Sequence, residues 1–468
     1  MIFATKAFFL FLPVALILYH LPRRRGHKYG SLLAASWLFY TWLSPQYLWV
    51  IIACTVIDYV AGLKIEAAEG PARKRWLVVS IAANLGLLFA FKYTAFAFDN
   101  ALSLARLCGV DVHDRTWSIL LPLGISFHTF QGISYTVDVY RREIRAVRSF
   151  LDYALFVAFF PQLAAGPIVR AVEFLPQMVS PPSPTARQVA DGLHLVLLGL
   201  FKKVFIADQL DSLFVSPVFA DPAAFDESAR RIACLAWAAQ IYCDFSGYSD
   251  MAVGIAKWFG FELPANFRLP YLATNIADFW RRWHLSLSTW LRDYLYFPLG
   301  GSRGGSARTY FNLMLVFVLC GLWHGATWAW LAYGTLMGLA MSLHRAADRA
   351  ATGVPICDAI RATILWNVAS WAFTMLFVVG TLVLIRMHDW PSGLLMLKAL
   401  FGVERLFEWS GAIPLWAPVL LGLGLVGHAV RGKPTLPIPM RAAGYVGMVA
   451  LLVTLGPGVA KTFIYIAF

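Results

Sequence analysis

The chain has 468 residues, of which 59% are hydrophobic and only 14% charged, and its formal net charge is +13. This excludes an ordinary soluble domain, because a spanning helix needs about 20 mostly apolar residues and windows of that kind recur from end to end. The positive charge sits in short loops beside those windows, which points to membrane topology and argues against nucleic-acid binding.

Taken in chain order, apolar stretches begin near Ala7, Ser31, Leu48, Leu77, Ile119, Tyr153, Leu193, Ile232, Leu313, Ile364, Leu415 and Tyr445. The prediction is an all-α polytopic membrane protein forming one membrane domain over 1–468, with some stretches broken or re-entrant. The first stretch runs into Leu21-Pro-Arg-Arg-Arg-Gly-His-Lys28 with no small-residue cleavage site, so it is expected to be a retained helix with the amino terminus outside. The basic clusters at 23–28, 73–75, 141–148 and 268–308 then face the cytoplasm. The polar windows 172–187 and 219–230 are too short for a soluble domain. The six cysteines are scattered without a Cys-x-x-Cys pair and read as small core hydrophobes, with neither disulfides nor a metal site expected.

Residues 264–303 mix aromatics with arginines and suit an amphipathic helix lying at the cytoplasmic interface or dipping into the protein. On a helix, Phe279, Trp283, Leu287, Trp290 and Leu291 share one apolar face, Arg281, Ser288 and Arg292 fall mainly on another, and His284 lies near the boundary. An interfacial anchor explains that pattern without catalysis, but not the recurrence of Trp-His at 283–284 and 323–324. His324 stands in the strongly apolar stretch 311–330 between Gly321 and Gly325. A titratable ring there needs a partner or a polar cavity and so marks a candidate reaction centre, the alternative being a histidine satisfied by a helix carbonyl.

Motifs for other mechanisms are missing: His-Glu-x-x-His, the Gly-x-x-x-x-Gly-Lys phosphate loop and the Gly-x-Ser-x-Gly elbow. A histidine base suits acyl transfer from an activated thioester to a hydroxyl, which needs proton removal and oxyanion stabilisation but no enzyme nucleophile.

The runs Arg282-Trp-His-Leu-Ser-Leu-Ser-Thr-Trp-Leu-Arg-Asp-Tyr-Leu-Tyr296 and Gly321-Leu-Trp-His-Gly-Ala326 resemble the membrane-bound O-acyltransferase family, nearest its bacterial AlgI-like branch. Leu121-Pro-Leu-Gly-Ile-Ser-Phe127, Phe160-Pro-Gln-Leu-Ala-Ala-Gly-Pro167, Lys202-Lys-Val-Phe-Ile-Ala-Asp208 and Tyr242-Cys-Asp-Phe-Ser-Gly-Tyr-Ser-Asp-Met251 extend the match. The family-like acyltransferase core is placed at about 120–345, with the cytoplasmic-facing region at 264–308. The resemblance implies a helical funnel with a through-membrane tunnel, His324 as catalytic histidine and His284 as the second important histidine. It implies a cytoplasmic thioester donor, acetyl-CoA, no permanently bound cofactor, and delivery of acetyl to an exported polysaccharide from the bacterial inner membrane. It also implies partners: a periplasmic or membrane-anchored serine-type (SGNH-like) acetyltransferase, a polysaccharide synthase and secretion complex, and membrane lipids.

Candidate tunnel or substrate residues are Trp323, Asp244, Tyr248, Asp250, Arg281, Arg282 and Ser286. Asp244 and Asp250 either orient a histidine, pair with Arg281 or Arg282, or form a buried helix-packing ion pair. His128 is expected to pack or line the tunnel. The rival functions are a proton-coupled transporter, for which inverted repeats are not visible, and an acyltransferase acting on lipid, teichoic acid or protein. The short run after the Tyr445 stretch tilts the expected polymer toward cellulose rather than alginate.

Overall fold

The computed structural model describes residues 3–110, 121–122, 124–163, 166–402 and 438–455, and among these there are helices and connecting turns but no strand. Many helices begin where a short polar side chain accepts the backbone N–H of the first turn, which satisfies donors that have no intrahelical partner. Thr5 does so for Lys6–His20, Ser149 for Phe150–Ala158, Thr327 for Trp328–Ala351, Thr363 for Ile364–Leu384 and Asp389 for Trp390–Phe401.

The chain divides into two compact units, Met1–Gly192 with Ala252–Pro264, and Leu193–Met251 with Ala265–Phe468. In the first, the helices Leu48–Ala67, Gly70–Leu88 and Ile125–Arg141 pack on one another. Asp58 is buried among them and accepts from Ser80 Oγ at 2.6 Å and Asn84 Nδ2 at 2.8 Å. A side chain at Gly132 would run into that carboxylate, so glycine is required for the approach. His128, on the same helix as Gly132, is 1% exposed and belongs to this unit.

In the second unit, the helix that enters at Leu193 continues as a π-helical segment, Phe201–Ala207, beside residues 227–251 of the long helix Glu227–Trp258. Their backbones meet at Gly199 and Gly247, where a Cβ on Gly247 would lie 2.7 Å from the Gly199 carbonyl oxygen. Small residues at such a crossing let helices approach closely without apolar side chains between them.

Four helical stretches among the described residues are long and apolar enough to cross a membrane: Pro45–Ala67, Gly70–Leu107, Gly305–His324 and Ile364–Arg386. This is fewer than the apolar windows of the sequence, and in four cases a local reason is visible. The Tyr153 window forms only the nine-residue helix Phe150–Ala158. Lys6–His20 is apolar but short. The window near Ile232 falls on a helix that buries Gln240, Asp244 and Asp250, and the stretch near Leu415 lies outside the described residues. Large apolar side chains stay exposed on the Ile364–Leu384 helix, among them Leu365 at 79% and Phe373 at 75%, as a lipid-facing surface requires.

Candidate acyl-transfer site

His324 is the last residue of the Gly305–His324 helix, which stops because Gly325 turns to an extended conformation (φ −156°, ψ 139°). The following helix, Trp328–Ala351, folds back against it. Gly321 makes that hairpin tight: a side chain there would strike the Trp330 carbonyl and the Gly334 backbone. Gly325 has a second task, since a Cβ would enter the Trp330 indole. With that space open, the indole stacks on the His324 ring at 5.0 Å between centroids and 21° between planes. The imidazole is thereby held 6% exposed.

His284 arrives differently. The single amphipathic helix expected to carry Phe279 through Leu291 is broken: Ile276–Trp280 ends, and a second helix, Leu285–Leu291, starts with His284 as its N-cap at φ 44°, ψ 56°. A non-glycine residue in this left-handed region costs about 1–2 kcal/mol. The predicted apolar face survives the break, with Phe279, Trp283, Leu287, Trp290 and Leu291 all buried. His284 is not at the boundary but fully buried. Its Nδ1 accepts the Leu287 backbone N–H at 3.4 Å, which places the proton of the neutral ring on Nε2 as a donor.

The two imidazoles lie 6.2 Å apart, inclined by 64°. Phe245 packs edge-on to His284 at 4.7 Å, and Trp323 stands 6.2 Å from it. These surroundings are apolar, and burial pushes the His284 ring down from 6.5 to about 3. The folded value lies below the unfolded one, so the unfolded chain takes up the proton first. The resulting stability is complete above about pH 6.5 and lost as pH falls from there toward 3. His284→Asn keeps a residue that tolerates the left-handed backbone and caps a helix, and it should therefore lose less thermal stability than the native chain between pH 6.5 and 4. Parallel acid slopes in detergent melting curves would refute the burial of a neutral imidazole here.

The remaining candidates separate. Ser286 is buried, its Oγ donating to Asn266 Oδ1 at 2.6 Å, and Tyr248 is buried on the Glu227–Trp258 helix. Trp323 adjoins both histidines. Asp244 and Asp250 pair with lysines: Asp244 with Lys203 at 2.5 Å and Asp250 with Lys202 at 2.8 Å, while Lys203 also meets Asp208 at 2.8 Å. The pairing with Arg281 or Arg282 considered from sequence is not formed. Arg282 bridges to Asp278 at 2.9 Å within its own helix turn, and the exposed Arg281 donates Nε to the Ala277 carbonyl. Both arginines lie in the turn between the two short helices, Arg281 exposed and Arg282 half-buried, whereas the lysines face the long helix across the Gly199–Gly247 crossing.

Sequence reasoning missed Asn266 and Trp330 and did not connect Lys202 and Lys203 with the aspartates. Two adjacent lysines inside the apolar run 195–206 were the available signal for the latter. Among the described residues no group of three or more His, Cys, Asp or Glu side chains could hold a metal ion.

Helices alone among the described residues, four of the stretches apolar enough to cross a membrane, and two buried histidines beside aromatic rings describe a helical membrane protein with side chains suited to acid–base chemistry. The profile of the membrane-bound O-acyltransferase family matches residues 128–385. The chain belongs to that family and is an acyltransferase. It is 40% identical over 421 residues to the probable alginate O-acetylase AlgI of Pseudomonas aeruginosa, covering 88% of this chain and 77% of that protein. It is 37% identical to the peptidoglycan O-acetyltransferase of Helicobacter pylori, over 86% of this chain and 80% of that one. The teichoic acid D-alanyltransferase of Bacillus subtilis is 27% identical over 50% of this chain and 61% of its own length.

Proposed function

We propose that the chain takes acetyl from acetyl-CoA at the cytoplasmic face of the bacterial inner membrane and passes it outward through a tunnel in a helical funnel. The acetyl group then serves O-acetylation of an exported polysaccharide of the alginate or cellulose type. The observation that carries this reading is the buried His284–His324 pair, 6.2 Å apart between aromatic rings. Relatives named for alginate and for peptidoglycan support a polymer beyond the membrane as the final acceptor.

In this reading the oxygen of an acceptor hydroxyl attacks the thioester carbonyl while its proton passes to neutral His324. The tetrahedral oxyanion collapses, the C–S bond breaks, and the thiolate leaves with the proton returned by the imidazolium. His284, with its Nε2 proton, supports the donor end. Trp323, Tyr248 and Ser286 would line the path, whereas Asp244 and Asp250 hold the helix that carries Tyr248. The arginine-rich region 268–308 faces the cytoplasm as the donor's entry side.

Only the acetyl group crosses, so the acceptor hydroxyl, reaching the donor from the outer mouth, belongs to a separate serine-type acetyltransferase working with the synthase and secretion complex. Chain reconstituted in liposomes with acetyl-CoA should esterify the polymer poorly until that partner is added, and well afterwards. Efficient polymer acetylation by the chain alone would show that the membrane protein itself selects the sugar hydroxyl.

A further inference from the structure

Asn266 lies in the loop before the two short helices, is completely buried, and makes four hydrogen bonds, three of them to the turn at His284. Its backbone carbonyl accepts from Leu285 N at 2.9 Å. Its Oδ1 accepts from Ser286 N at 3.3 Å and from Ser286 Oγ at 2.6 Å. Its Nδ2 donates to Ser249 Oγ at 3.1 Å on the Glu227–Trp258 helix. Two residues on, Arg268 N donates to the Arg282 carbonyl at 2.9 Å, so the loop grips the turn on both sides of His284.

The turn needs such a grip. His284 is one of three non-glycine residues with positive φ among those described, and the helix behind it has only seven α-helical residues before it passes into the π-helical segment Arg292–Tyr296, twelve in all. A helix that short does not hold itself in place, and an unfavourable backbone conformation persists only where its surroundings over-determine it. Asn266 supplies what the helix start lacks: it takes up the N–H groups of Leu285 and Ser286, both otherwise orphans of the first turn. Through Ser249 it refers that turn to the same long helix whose Phe245, one turn earlier, packs on the His284 ring. The amide is suited to the place because it accepts on one side and donates on the other while remaining neutral.

We infer that Asn266 is a positioning residue for acyl transfer, fixing the left-handed backbone of His284 and hence the reach of its imidazole toward His324. The inference rests on the proposed role of His284. Misplacing a reacting group by about 1 Å can cost around 10²-fold in rate, so Asn266→Ala should lower kcat by roughly that factor while the KM for acetyl-CoA changes little. Asn266→Asp keeps the acceptors, and Ser249 can turn its hydroxyl to donate. It adds a carboxylate near His284, however, which favours the protonated ring and should move the acid limb of the pH profile upward.

The assay is acetyl-CoA-dependent polymer acetylation in membranes of the producing cell, with amide hydrogen exchange over 282–291 measured on the purified full chain. Support consists of faster exchange confined to that segment in Asn266→Ala, the kcat loss without a KM change, and the shifted profile of Asn266→Asp. Wild-type kcat in Asn266→Ala beside an inactive His284→Ala sinks the clamp alone. Full activity in His284→Ala sinks the assignment of His284, and the clamp's catalytic meaning with it. Should Asn266→Ala not accumulate, Ser249→Ala removes one bond of the four, and an unchanged kcat together with unchanged exchange would overturn the inference.

Discussion

Replacing His324 with alanine is expected to cut acetyl transfer by roughly 10²- to 10⁴-fold, the usual loss when a general base is removed, with the protein still present in the membrane. The imidazole is 6% exposed and stacked on Trp330, but it sits at the end of its helix, and the hairpin is held by the Gly321–Gly334 approach rather than by the ring. Structure should therefore suffer less than chemistry. His324→Gln, which keeps much of the volume and cannot serve as a base near neutral pH, should be equally inactive. The measurement is the acetyl content of the exported polymer set against membrane abundance. Acetylation near the wild-type level in either variant would remove His324 from the mechanism.

Lys203→Met should be the most destabilising of the changes considered. Lys203 is 2% exposed on its side chain and pairs with Asp244 and Asp208, themselves 1% and 3% exposed. Removing one member of a buried ion pair typically costs about 3–5 kcal/mol, because the remaining charge is left without compensation. Adding Asp244→Asn to Lys203→Met should restore part of the loss, whereas breaking the Arg148–Glu66 pair, in which the arginine is 74% exposed, should cost about 0–1 kcal/mol. Thermal unfolding in detergent, read alongside yield, tests all three. A Lys203→Met protein that melts with the wild type would mean that water reaches these carboxylates.

The helical class, several spans and the family-like runs were legible in the amino-acid order, because apolar windows and the two Trp-His runs are local features. What escaped was set at a distance. The pattern from Phe279 to Leu291 keeps helical period, and its apolar face is indeed buried, yet the chain breaks at His284, where the Asn266 side chain and carbonyl bind the start of the next helix. No periodicity within 276–291 contains that information. The aspartates posed a similar problem: Arg281 and Arg282 were nearer to them in sequence, but Lys202 and Lys203 were brought to them by a crossing of two glycines. Charge alone does not reveal which cation a helix crossing selects.

The left-handed backbone at His284 also narrows the paths by which this position can change over generations. From either histidine codon, one base substitution reaches tyrosine, asparagine, aspartate, leucine, proline, arginine or glutamine. Of these, only asparagine and aspartate visit such a conformation readily, and aspartate would bring a charge into a fully enclosed space. Drift at this codon is thus channelled toward asparagine, which fits the turn and caps the helix but has no ring to titrate. A lineage that took that step would keep the architecture while changing the proton chemistry available beside His324.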